Sequence, residues 1–210
     1  MNQNNMFNIN NHYIHQEIEK IHNDEIFQNS QSSISINGYI ASVLSFFIRT
    51  QSIKKILELG TLYGKSSILM ANCDENIFVH SIENNEKNHS IAKQNIEIYG
   101  LQNRIQTHFG DAIEILNSPH FPKDFDMVFV DANKLAYIDY LHWCEKYLDQ
   151  KAMLIFDNIF IHHALPKYND KNCSMFKKME EFLLYTANEK LFDRLILPYE
   201  RDAICILKRK

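Results

Sequence analysis

Five short apolar runs rich in Ile, Val and Phe, separated by segments of helical period, constrain this chain more than any other feature. They lie near Lys55–Leu59, Ile77–Ile82, Ile105–Phe109, Phe125–Val130 and Met153–Phe156. Strands joined by helical crossovers run parallel, because only a long connection returns the chain to the same end of the sheet. The expectation is an α/β fold with a mostly parallel sheet and helices on both faces. The rhythm breaks near the end. After a helix over Met175–Ala187, the runs Leu191–Leu197 and Ala203–Leu207 follow with no helix between them, which predicts an antiparallel hairpin at the sheet edge. Ahead of the first strand, His12–His22 and Gly38–Thr50 read as helices, a small N-terminal helical cap within residues 12–50. Residues 1–11, rich in Asn, read as a flexible tail.

A chain of 210 residues suits one core, so a single domain over 1–210 is expected. No apolar run approaches the roughly 20 residues of a membrane helix, and no membrane partner is expected. The start lacks the basic and apolar stretches of a secretory signal, which predicts a cytoplasmic protein. Cys73, Cys144, Cys173 and Cys205 are scattered, form no C-x-x-C pair, and predict packed thiols rather than a zinc or redox site. A formal net charge of -4 supplies no general attraction to nucleic acid.

Chemistry-bearing residues gather at the carboxyl ends of the strands, where open parallel sheets bind their ligands. The first strand runs through Glu58-Leu59-Gly60-Thr61-Leu62-Tyr63-Gly64-Lys65-Ser66-Ser67 into a helix. Its glycines permit a tight turn and close ligand approach, and the helix start offers free N–H groups. It is not G-x-G-x-x-G, and although it closes on Gly64-Lys65-Ser66, three residues separate Gly60 from Gly64 where a phosphate loop has four, so it advertises neither a dinucleotide nor a triphosphate. Glu83, at the end of the second strand, can accept from two ribose hydroxyls or stand as a solvated strand end. Asp111, in Gly110-Asp111-Ala112, can accept from an adenine amine or cap the next helix. Asp131, in Val130-Asp131-Ala132-Asn133-Lys134, and the pair Asp157-Asn158 bring three hard oxygen donors to the ends of the fourth and fifth strands. That set suits magnesium, manganese or calcium, and two caps with a turn asparagine is the alternative.

From about Gly38 to Lys208 the chain resembles the cation-dependent O-methyltransferases of the caffeoyl-CoA and catechol type, a branch of the class I methyltransferases. The family turn L-E-[ILV]-G-T-x-x-G-x-S is matched at Leu57–Ser66, F-D-x-[VI]-F-[ILV]-D-A-D-K at Phe125–Lys134, and D-N at Asp157-Asn158. Tyr137 and Tyr140 repeat the tyrosine spacing after the lysine. The resemblance implies a Rossmann-like, seven-stranded, mostly parallel sheet with an antiparallel last strand. It also implies S-adenosylmethionine and a divalent cation as cofactors.

Carried over position by position, the resemblance assigns Glu58, Gly60 and Ser66 to the methionine and turn region of the cofactor. Glu83 takes the ribose, Asp111 and Ala112 the adenine, and Asp131 borders the cofactor while ligating metal with Asp157 and Asn158. Lys134 takes the place of the general base. Three positions depart from the pattern: Asn133 stands for an Asp, Asp149-Gln150-Lys151-Ala152 replaces a Pro-Gly-Gly turn, and Tyr199-Glu200-Arg201-Asp202 replaces a glycine-containing turn. The expected reaction is methyl transfer to a hydroxyl of a catechol-like small molecule, whose vicinal oxygens can fill two metal positions. The alternative acceptor is 5-hydroxyuridine in tRNA. A homodimer is compatible with this reading, and substrate choice is assigned to the surroundings of Tyr137, the N-terminal helices and residues 159–172, within which His162 and His163 read as solvent-facing, with contact to substrate or metal as the alternative. Trp143, Tyr140 and Tyr147, at helical spacing, read as core.

Overall fold

The computed structural model describes residues 36–160, 174–188, 190–199 and 202–210. The expected helix at 12–22, the tail at 1–11, His162, His163 and Cys173 lie outside the described residues, as does most of the 159–172 segment. Seven strands form one sheet in the order β3-β2-β1-β4-β5-β7-β6. They are β1 (Lys55–Leu59), β2 (Phe78–Glu83), β3 (Ile105–Phe109), β4 (Met127–Val130), β5 (Met153–Phe156), β6 (Phe192–Tyr199) and β7 (Asp202–Arg209). Strand β7 alone opposes its neighbours, pairing antiparallel with both β5 and β6. The predicted edge hairpin is therefore present, with Pro198 on its outer strand, where a missing N–H donor is tolerated. By contact pattern the chain divides into two compact units, Met1–Lys54 with Thr61–Phe109, and Lys55–Gly60 with Gly110–Lys210.

The first unit holds α1 (Gly38–Thr50), α2 (Lys65–Ala71), β2, α3 (Glu86–Ile98) and β3. Helix α1 keeps the bounds read from the sequence. Asn37 caps its start by accepting from the N–H of Ile40, and Ile40, Leu44 and Ile48 bury one stripe. Strands β2 and β3 run parallel, Val79 opposite Ile105 through Glu83 opposite Phe109. The Arg104 guanidinium donates to the carbonyls of Ala71 and Asp74, satisfying backbone acceptors at the last residue of α2 and just beyond it.

In the second unit β1, β4 and β5 are parallel neighbours, and every residue of β4 and β5 is buried. Their unbroken apolar runs follow from burial on both faces. Helices α4 (Ala112–Leu116), α5 (Tyr137–Tyr147) and α6 (Ser174–Thr186) belong to this unit, and a short 3-10 turn, Lys134–Ala136, leads into α5. Tyr137, Phe156 and Phe182 pack as a cluster with ring centroids 4.7 to 5.7 Å apart. Tyr140 and Trp143 are buried as expected, the indole donating to the carbonyl of Leu116, whereas Tyr147, also read as core, is only partly buried, with the Lys123 and Lys146 ammonium groups over its ring. Where the family pattern has Pro-Gly-Gly, Asp149 builds the turn itself: its carboxylate accepts from the N–H of Lys151 and its carbonyl from the N–H of Ala152. Cys73, Cys144 and Cys205 are buried free thiols, and burial pushes the Cys205 thiol up to about 12.

Candidate active site

Strand register decides what the ends of β4 and β5 can do. Val130 lies opposite Phe156, so Asp131 and Asp157 each begin the loop that leaves one of two adjacent parallel strands. Asp131 donates its N–H to the carbonyl of Leu59, and Asp157 donates its N–H to that of Val130. The side chains follow the backbone. The Lys134 ammonium donates to Asp131 Oδ1 at 3.0 Å, to the Asp157 carbonyl at 3.2 Å and to the Tyr137 hydroxyl at 2.5 Å. Tyr137, wholly buried, holds this corner from below by donating to the carbonyl of Asp157 at 2.8 Å. Burial and the neighbouring carboxylates of Asp131 and Asp157 raise the Tyr137 phenol far above its ordinary value, so it acts as a neutral donor.

Asp157 is 4 % exposed, and burial with the charge of Asp131 pushes its carboxyl upward. Two donors offset this, the N–H of Asn158 at 2.8 Å and the hydroxyl of Tyr199 at 2.7 Å, both on Oδ1. Asn158 sits at φ 53, in the left-handed region that asparagine tolerates, and its amide nitrogen donates to the Tyr199 hydroxyl at 2.7 Å. Asn133, standing where the family pattern has an aspartate, accepts from the N–H of Leu135 and starts the 3-10 turn that carries Lys134. Asp131, Lys134, Asp157 and Asn158, read from separate motifs, thus meet in one cluster. Tyr199 belongs to it too, and sequence reasoning missed its role because no local pattern links residues 41 or 42 positions apart.

The same unit contains Gly60 and the start of α4. A Cβ at Gly60, φ 101, would stand 2.1 Å from the carbonyl oxygen of Asp131, so only glycine fits there. Glu58 is wholly buried on β1. Asp111 caps α4, with Oδ1 accepting from the N–H groups of Ile113 and Glu114, so the capping alternative holds whatever else the residue binds. Ala112 is the first residue of α4.

Glu83 and Ser66 belong to the first unit. Glu83 is 8 % exposed rather than a solvated strand end: Oε2 accepts from the N–H of Leu62 and Oε1 from that of Asn85, both within 2.9 Å. It braces the glycine turn, where Leu62 takes φ 49 and Gly64 φ 81. Ser66 is buried in the first turn of α2.

Among solved structures the fold is shared with an SAH-bound methyltransferase of Podospora anserina. That match has TM-score 0.81 and 18 % identity over 100 % of this chain and 97 % of that one. An O-methyltransferase of Bacillus cereus in complex with SAH gives TM-score 0.77 and 23 % identity over 94 % and 92 %. By sequence the chain is 33 % identical over 132 residues to a catechol O-methyltransferase of Niastella koreensis, covering 60 % of this chain and 59 % of that protein. Against a catechol O-methyltransferase of Mycobacterium tuberculosis it is 29 % identical over 107 residues, or 50 % and 48 %. The match thus spans about half to three-fifths of the length of these relatives. Because the O-methyltransferase profile matches from residue 8 to residue 209, taking in every strand and motif described above, the chain belongs to the O-methyltransferase family.

Proposed function

We propose that this chain transfers a methyl group from S-adenosylmethionine to a hydroxyl oxygen of a catechol-like small molecule, with a divalent cation held by Asp131, Asp157 and Asn158. The observation that carries the reading is the cluster beyond β4 and β5, where the Asp131 carboxylate, the Asp157 carboxylate and the Lys134 amine converge. A buried carboxylate beside a second one is destabilised by repulsion, and a cation relieves it. The third protein ligand is the Asn158 amide, which follows Asp157 directly in the chain and donates its backbone N–H to that carboxylate. Two carboxylates and an amide suit a hard cation such as magnesium.

When bound, the cation supplies Lewis acidity that lowers the pKa of a coordinated hydroxyl, and S-adenosylmethionine supplies an electrophilic methyl group. The Nζ of Lys134 receives the hydroxyl proton. It does so as the neutral amine, with its lone pair as the acceptor. Glu83 serves the ribose: each of its oxygens accepts one amide, and a carboxylate oxygen has room for a second donor. Asp111 and Ala112 serve the adenine, and Glu58, Gly60 and Ser66 the methionine and turn region.

The test is methyl-labelled cofactor offered with a panel of catechols and with undermodified tRNA, each with magnesium and with excess chelator. Labelled catechol that disappears with chelator is expected. Label entering only tRNA moves the acceptor to 5-hydroxyuridine, and full turnover in chelator removes the cation from the reading.

A further inference from the structure

Tyr199 ends β6, far in sequence from Asp157 and Asn158, yet its one hydroxyl touches both side chains at 2.7 Å. We propose that Tyr199 is a positioning residue that decides which atoms of Asp157 and Asn158 face the cation. The inference rests on the cation-dependent reading above.

The Tyr199 phenol carries one hydrogen and donates it to Asp157 Oδ1. The phenol oxygen is then an acceptor toward Asn158, and only the NH2 end of the amide can satisfy it. One hydroxyl thereby fixes the rotation of both groups. Asp157 Oδ1 already takes the Asn158 N–H as well, which leaves Oδ2 as its metal-facing oxygen. The Asn158 amide, its nitrogen held, turns Oδ1 away from the phenol. Without the phenol the amide loses the partner that distinguishes its two ends, and an amide turned nitrogen-first offers no lone pair to a cation. Tyr199 is itself 8 % exposed on a hydrogen-bonded strand, so it holds this position at small further entropic cost. Residues behind metal ligands that set their orientation typically change metal affinity by about ten- to a hundredfold.

The decisive measurement is Mn2+ binding to the full chain, followed by electron paramagnetic resonance, with S-adenosylhomocysteine affinity and melting temperature recorded on the same samples. Tyr199→Phe keeps the ring and removes the hydroxyl. Its Mn2+ affinity is expected to fall about tenfold with S-adenosylhomocysteine affinity unchanged. Tyr199→His, which retains a ring donor, should recover part of the loss. Equal Mn2+ affinity in Tyr199→Phe and the wild type overturns the proposal alone. So does a parallel loss of Mn2+ affinity, S-adenosylhomocysteine affinity and melting temperature, since that is the signature of a structural brace. A wild type that binds no Mn2+ removes the cation reading itself. A variant that does not fold is replaced by ultraviolet difference absorption of the wild type on adding Mg2+. A cation on Asp157 draws charge from the oxygen that accepts the phenol, so a tyrosine signal is expected, and its absence in a protein that binds Mn2+ also overturns the proposal.

Discussion

Lys134 can serve the reaction in two ways, as the proton acceptor or as fixed positive charge, and these make different demands on the side chain. Arginine keeps the charge but does not deprotonate in proteins, so Lys134→Arg cannot rescue a base. With Lys134 as the base, single-turnover methyl transfer near neutrality should slow about 10²- to 10⁴-fold in both Lys134→Ala and Lys134→Arg. Both should recover in part as pH rises and hydroxide takes over. Near-wild-type rates for Lys134→Arg across pH assign the residue to charge alone. Gly60 makes a second demand at this scale, because its added Cβ would meet backbone rather than a flexible side chain. Gly60→Ala should destabilise the fold by roughly 3 kcal/mol or more, read as a lower denaturation midpoint in urea.

Between elements, β2 and β3 are joined across one face by His80 and His108, whose ring nitrogens lie 3.0 Å apart in near-parallel rings. One nitrogen donates and the other accepts, so at least one ring is neutral at that nitrogen. Burial, then the charges of His80 and His89, lower the His108 value to about 4. The unfolded chain protonates this histidine near 6.5 while the folded chain resists until about 4, so the unfolded state binds more protons within that window. Stability is therefore unaffected by this group above pH 6.5 and falls as pH drops toward 4. Discounted for the solvent that reaches the half-buried ring, the loss is about 1 kcal/mol. His108→Gln should flatten the urea midpoint between pH 6.5 and 4, and an unchanged slope would assign the acid sensitivity elsewhere.

For the whole molecule, a ligand that binds only the folded state stabilises it by mass action, about 2.7 kcal/mol at a hundred times its dissociation constant. S-adenosylhomocysteine at that excess should raise the melting temperature by about 5 to 10 °C. Glu83→Ala should remove most of that rise. It should also lower the melting temperature without ligand, because two backbone N–H groups lose their acceptor. Calorimetry that finds unchanged affinity in this variant refutes the ribose assignment. The strand and helix order was legible in the sequence because each element has its own period and composition: α1 kept its read bounds and the five parallel strands moved by at most two residues at either end. The candidate ligands were legible for a related reason, since each sits one or two residues past a buried strand and so announces its own address. What only the tertiary structure decided is what depends on register and long-range contact. Asp131 lies beside Asp157 because β4 pairs with β5 in one register, and Glu83 turns from a strand end into a brace because the turn at Leu62 folds back onto it. Tyr199 reaches Asp157 because β7 returns the chain antiparallel and carries the end of β6 to the ends of the parallel strands. A sequence states the preferences of neighbours along the chain, whereas these contacts join residues tens of positions apart, and packing alone selects them.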